Sequence, residues 1–167
     1  MRGHQKLSCM TRHRFGLWNK WRLAIIIALV LTLLITGCSR VSENAVYVTR
    51  VIDGDTLEIE GGYRVRYIGI DTPEKGEPYY WEALEANRSL VEGKRIRLEE
   101  DVEDRDEYGR LLRYIWVNDT MVNAELVRLG CAYSYSYPPN VKYQTYFLQM
   151  EKEAREHERG LWSSYSD

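Results

Sequence analysis

Gly61 and Gly62 separate two alternating apolar runs, VYVTRVIDGDTLEIE and YRVRYIGID, and this arrangement leaves the chain little choice but an antiparallel hairpin. When every second side chain faces a core, the local structure is a strand, so a sheet begins here. RIRLEE (residues 95–100) and LLRYIWV (111–117) supply another strand pair, and Asn118-Asp119 follows with turn chemistry. Three segments carry helical spacing instead. Tyr79 to Val91 aligns Tyr80, Leu84 and Val91 and stops at Gly93; Val122 to Leu129 is short and ends at Gly130. Tyr143 to Arg159 sets Tyr143, Tyr146, Phe147, Met150 and Ala154 on one stripe. Short strands with helices between and after them predict a small barrel with helices packed on it, an α+β fold.

The first 37 residues stand apart. They hold six of the 23 Lys and Arg and none of the 25 acidic residues, so the remainder carries 17 basic against 25 acidic side chains, a net charge of -8. That balance excludes broad electrostatic capture of a polyanion, and any anion site must be local. The apolar run Leu23 to Ile35 is short for a bilayer core of ~30 Å, which favours a signal peptide over a spanning helix, although Trp18, Trp21 and the flanking bases leave an uncleaved anchor helix open. Ile35-Thr36-Gly37-Cys38 resembles a lipobox, which implies lipidation of Cys38 and a lipoprotein held at the membrane of the cell surface or envelope. The expected organisation is a signal peptide over 1–37, a lipid-anchored linker over 38–45, one domain over 46–162 and a tail over 163–167. With Cys9 and Cys38 in the leader region, Cys131 is alone, has no disulfide partner, and reads as a small buried hydrophobe.

The run IDGDTLEI poses a charge problem, because Asp53 and Asp55 interrupt residues that need to pack. An ionised carboxylate in a partly buried strand is costly unless a cation or hydrogen-bond donors meet it. Asp71, Thr72 and Glu74 follow on the second arm of the hairpin, within reach. Asp53, Asp55, Asp71 and Glu74 against Arg66 and Arg110 leave a charge of -2. Oxygen donors with no His or Cys point to Ca²⁺ or Mg²⁺ rather than zinc. Each piece also has a plainer use: Asp53-Gly54-Asp55 as a turn or bulge, Asp71 to Glu74 as a helix-capping turn, Arg110 as a partner for the acidic loop EEDVEDRDE (residues 99–107), Tyr135 and Tyr137 as barrel packing. All of these would have to hold together for the plain reading to stand.

IDGDT, Arg66 with DTPE after it, YGR and the final GLW resemble the staphylococcal nuclease (thermonuclease) family, in a consistent order from about Val46 to Trp162. Each motif alone is weak, and the combination is specific. The resemblance implies a five-stranded OB-fold barrel with three helices and a calcium-dependent endonuclease, a hydrolase cutting DNA and RNA to leave 3′-phosphates. It makes Asp55, Asp71 and the Thr72 carbonyl the metal-binding ligands for Ca²⁺, with Asp53 supporting the site through water. Arg66 and Arg110 match the guanidiniums that grip the scissile phosphate, and Glu74 the general base or orienter of the attacking water. Tyr108 resembles a phosphate-side donor, and Tyr135 and Tyr137 match tyrosines near the nucleotide. The expected substrate is single-stranded or locally unpaired nucleic acid without sequence preference, and the expected state is a monomer. The rival class is a non-catalytic OB-type module binding nucleic acid or protein; such degenerate domains usually lack the metal carboxylates or arginines that this chain keeps. A third reading, a surface lipoprotein using Ca²⁺ only structurally, predicts metal-dependent melting without turnover.

Three details depart from simple expectation. Strict alternation would put Arg66 and Asp71 on opposite faces, so a bend or bulge is predicted near Gly69. Glu107 stands where the well-known secreted members carry a Lys, predicting weaker substrate binding or greater dependence on the cation. The segment between Glu74 and the first helix is also shorter than in those members.

Overall fold

A computed structural model describes residues 45–163. The leader, the lipobox with Cys38, and the tail after Ser163 lie outside the described residues. In chain order the elements are β1 (Ala45–Val51), β2 (Thr56–Ile59), β3 (Tyr63–Tyr67), β4 (Ile70–Asp71), α1 (Tyr80–Val91), β5 (Arg95–Glu99), β6 (Leu111–Val117), β7 (Thr120–Met121), α2 (Val122–Arg128), β8 (Tyr133–Ser134), α3 (Gln144–Glu156) and a 3₁₀ turn at Gly160–Trp162. Ala45, read as the last linker residue, is already paired with Arg97 in β1.

Five strands form a mixed barrel in the order β3-β2-β1-β5-β6, closed by a parallel pairing of β3 with β6. The other barrel ladders are antiparallel, with Thr56 opposite Arg66 and Ile59 opposite Tyr63 across the glycine turn. Closure removes the exposed edges that an open sheet of this size would leave. Leu57, Val65, Ile96, Ile115, Leu126 and Phe147 are fully buried between barrel and helices. Asn123 of α2 is buried with them, accepting from the Ile115 N–H at 2.8 Å and donating to the Ile68 carbonyl at 2.9 Å. A polar side chain is tolerated there because it satisfies backbone groups that would otherwise be orphaned.

IDGDT does not continue the first strand, as the sequence reading supposed. Pairing stops at Val51 and resumes at Thr56, and the four residues between make the turn from β1 to β2. The Ile52 and Asp53 N–H groups both reach the Thr56 carbonyl, and Asp53 Oδ1 accepts the Asp55 N–H at 3.1 Å. Asp side chains satisfy turn backbone in this way, which is why the alternation breaks here. The last helix is also shorter than its stripe suggested: it ends at Glu156, and positive φ at Glu158 and Gly160 starts the 3₁₀ turn. Tyr146 falls off the buried stripe at 43% exposed.

The irregularity expected near Gly69 is present. Gly69 has φ of +80°, and a Cβ there would run into the Phe147 ring. The chain turns at this point out of the barrel into β4, which pairs with β8, while Gly69 accepts the Tyr135 N–H at 3.0 Å. At the far end, the 3₁₀ turn docks on the end of α2: the Leu161 N–H donates to the Gly130 carbonyl at 2.8 Å, a Cβ on Gly160 would collide with that carbonyl, and one on Gly130 with the Arg159 carbonyl.

Candidate active site

The β1–β2 turn and the segment after β4 are joined through one carboxylate. Asp55 Oδ2 accepts the Thr72 N–H at 2.9 Å and the Thr72 hydroxyl at 2.8 Å. Close approach requires Gly54, whose Cβ would lie 2.7 Å from Thr72 Oγ1. Asp55 Oδ1 faces Arg66 Nη1 at 3.2 Å and the Thr56 hydroxyl at 3.3 Å. The Asp55 side chain is only 8% exposed. Burial pushes its carboxyl up to about 6 against the pull of Arg66, with Asp53 adding to the rise.

Arg66 connects this buried carboxylate to the surface. Its Nη1 also donates to the Tyr67 and Ile70 carbonyls, each at 3.0 Å, and its Nη2 donates to Asp71 at 2.8 Å. The bend at Gly69 brings the Ile70 carbonyl and Asp71 around to the guanidinium. Four acceptors fix its plane, and Asp71 itself is half exposed.

The second guanidinium comes from the loop before β6. Asp106 is the organiser of this loop. Its Oδ1 accepts the Tyr108 and Arg110 N–H groups at 3.0 and 2.9 Å, and its Oδ2 accepts Arg110 Nε at 2.6 Å. Tyr108 stands out at 77% exposed, with Arg110 5.5 Å from its ring centre. Arg66, Asp71, Tyr108, Arg110, Tyr135 and Tyr137 all line one open pocket of ≈ 280 Å³. Six residues singled out from sequence therefore meet at one place. Tyr135 is half exposed there, whereas Tyr137 also packs against the core.

Other candidates lie around the pocket rather than in it. Asp55 and Thr72 form its rear support. Asp53 spends a carboxylate oxygen on the turn and gives its carbonyl to Asn87 Nδ2 at 2.9 Å. Glu74 is exposed on the turn toward α1, where its N–H donates to Glu77 at 2.7 Å and its carbonyl accepts the Glu77 N–H. It does not line the pocket. Glu107 does, so the acidic substitution noted in the sequence sits inside the site. Two roles escaped the sequence reading. Asp106 belongs to the acidic loop that the sequence offers Arg110 as a partner, but its particular part shows only in the structure: four positions before Arg110, it accepts both that residue's Nε–H and its backbone N–H. Asn87, fully buried, accepts from the Tyr67 hydroxyl at 2.8 Å; an Asn on the apolar stripe between Leu84 and Val91 was the available signal. Cys131 is a free thiol, and burial pushes it up to about 11, in line with an inert packing residue.

Among the described residues no group of three or more His, Cys, Asp or Glu side chains is gathered as a metal cage. The oxygen donors of Asp55, Asp71 and the Thr72 carbonyl nonetheless fit a hard divalent cation. Asp55 is a buried carboxylate whose charge one guanidinium leaves under-compensated, and a cation beside it would relieve that.

Comparison with known proteins gives the site a lineage. The family described as Staphylococcal nuclease homologue matches residues 64–164. The chain is 41% identical over 124 residues to the thermonuclease of Staphylococcus intermedius, covering 69% of this chain and 74% of that protein. It is 36% identical over 137 residues to the thermonuclease of Staphylococcus hyicus, covering 77% and 81%. Endonuclease YncB of Bacillus subtilis (strain 168) is 40% identical over 141 residues, covering 77% and 67%.

Proposed function

The chain belongs to the staphylococcal nuclease family and is a nuclease of that kind, and on that premise we propose that it is a Ca²⁺-dependent endonuclease cleaving single-stranded DNA and RNA to leave 3′-phosphates. The observation that carries this reading is the shared pocket in which Arg66 and Arg110 converge beside Asp71, with Tyr108, Tyr135 and Tyr137 around them.

Phosphodiester hydrolysis builds negative charge on the phosphoryl oxygens as water attacks in line. Two planar guanidiniums, Arg66 held by four acceptors and Arg110 by the Asp106 carboxylate on its Nε, are preorganised to meet that charge. Losing one such donor typically costs about 3–4 kcal/mol of transition-state stabilisation. Asp55, Asp71 and the Thr72 carbonyl would hold the cation, with Asp53 in support. When bound, Ca²⁺ supplies Lewis-acid charge at the phosphoryl oxygens. Glu74 takes the proton from the attacking water as its oxygen bonds to phosphorus, and the bond from phosphorus to the 5′-oxygen breaks, that oxygen leaving as a hydroxyl with a proton from solvent. Glu74 lies two residues from Thr72 and outside the pocket, so this role requires the Pro73–Gly76 segment to bring it to the phosphate. Tyrosine faces at the rim suit unpaired bases, since any base can stack. The proposed protein acts as a monomer, exported and anchored at the membrane through lipid on Cys38.

The test is cleavage of single-stranded DNA and of RNA in Ca²⁺, Mg²⁺ and EDTA, beside Arg66→Ala and Glu74→Ala. Ca²⁺-dependent cleavage, lost in both variants, is expected. Binding without cleavage by the unaltered protein would instead leave a non-catalytic OB-type module. Membrane fractionation of Cys38→Ser tests the anchor: the variant should appear in the soluble fraction.

A further inference from the structure

A second, larger concavity of ≈ 560 Å³ adjoins the candidate active site and shares Tyr108 and Arg110 with it. Its other walls are Tyr63 and Arg64 from the start of β3 and Arg105 from the loop before β6. Gly62 and Gly109 also line it, and a Cβ at either would meet nothing within 4 Å, so this side of the concavity is unobstructed.

The two new arginines are poorly engaged. Glu58, opposite Arg64 across β2 and β3, is taken by Arg50 at 3.1 Å. Among the described residues, the Arg64 side chain has no ion pair or hydrogen bond. Arg105 meets Asp104 at 3.3 Å, but both are about half exposed, and Asp104 is also claimed by Arg113. An exposed pair of this kind is worth little and exchanges readily for a better anion. Arg105 Nη1 donates to the Gly109 carbonyl at 2.8 Å, which ties it to the same loop as Tyr108 and Arg110. Tyr63 is 53% exposed and lies 6.0 Å below the Arg105 guanidinium.

An unpaired and a weakly paired guanidinium interleaved with exposed tyrosines suit a single nucleic-acid strand, whose phosphates and bases alternate. The charge of the chain after residue 37, -8, makes a local cation pair of this kind the more consequential, because the rest of the domain repels a polyanion. We propose that this groove is a second phosphate subsite, in which Arg64 and Arg105 hold the phosphate next to the scissile one while Tyr63 and Tyr108 stack the intervening base. The assignment rests on the nuclease reading and deepens it: the preferred substrate is an oligonucleotide long enough to fill both sites.

The full chain and its Arg64→Ala/Arg105→Ala variant would be compared by fluorescence anisotropy on two probes, a labelled single-stranded DNA octamer and a labelled dinucleotide with one phosphodiester. The preference for the octamer should fall about tenfold in the variant, and the slope of log affinity against log salt should become shallower by about 0.7 per arginine. Arg64→Lys/Arg105→Lys should restore most of the slope; this charge-retaining variant also gives the reading if the alanine protein fails to fold. An unchanged octamer preference, or no octamer binding by the unaltered protein, overturns the subsite. Cleavage is scored separately: octamer binding with the expected loss but without cleavage sinks the nuclease reading and leaves the subsite standing.

Discussion

Arg66 and Asp71 lie five positions apart in sequence, yet their side chains meet at 2.8 Å because the chain turns between them at Gly69. Gly69→Ala would force a Cβ into the left-handed region and into the Phe147 ring. A loss of about 2–4 kcal/mol in urea unfolding is expected, with kcat/KM on single-stranded DNA falling as the Arg66 acceptors move. Wild-type stability in this variant would show that the bend does not require glycine.

Asp106 touches no substrate in the proposed mechanism, but it fixes Arg110 through two hydrogen bonds and its loop through a third, from the Tyr108 N–H. Asp106→Asn retains acceptors for the backbone and removes the charge facing Arg110 Nε. We expect kcat/KM to drop about 10- to 100-fold, mostly in kcat, with little change in melting temperature. A matching loss in stability and none in kcat would make Asp106 a loop residue only.

Asp55 is pushed up by burial, so its charge works against folding until a cation meets it. Asp55→Asn should melt no lower than the wild type in EDTA. Ca²⁺ should stabilise the wild type by about 2.7 kcal/mol at a hundredfold excess over Kd and leave the variant unmoved. Equal Ca²⁺ stabilisation of both proteins would remove Asp55 from the ligand set.

Glu99 ties β5 to the chain entering α3. Burial raises its carboxyl, but donors from Lys142 at 2.5 Å, Tyr143 at 2.7 Å and Arg97 at 3.3 Å outweigh it and hold it below the usual carboxylate range. A depressed folded value contributes stability that is present above the unfolded value of 4.5 and lost as pH falls through the folded one. Glu99→Gln should lower the urea midpoint at pH 7 and merge with the wild type near pH 3. A constant offset at both pH values would show that the charge contributes nothing.

Much of the fold was legible because it is written in local patterns. The glycine pair between alternating runs fixed the β2–β3 hairpin, and the clash between strand alternation and a shared Arg66–Asp71 site demanded a bend at Gly69. Alternation misled at IDGDT, where side-chain oxygens of Asp53 and Asp55 replace strand pairing with a turn whose partner, Thr72, is distant in sequence. Asn87 acts through tertiary contacts with Tyr67 and Asp53 that no local period encodes, whereas Asp106 acts within its own loop, where the chain follows no period at all. Glu74 was singled out by motif, while its exposed position depends on how the Pro73–Gly76 turn is held.

The close backbone approach of Gly130 and Gly160 bears on how the molecule is held closed. The 3₁₀ turn of residues 160–162 seats on the end of α2, with Trp162 edge-on to Tyr133 and Arg155 stacked over its indole. The latch is backbone against backbone, so severing the chain between Glu156 and Gly160 would free the 3₁₀ turn from α2 while leaving the barrel ladders untouched.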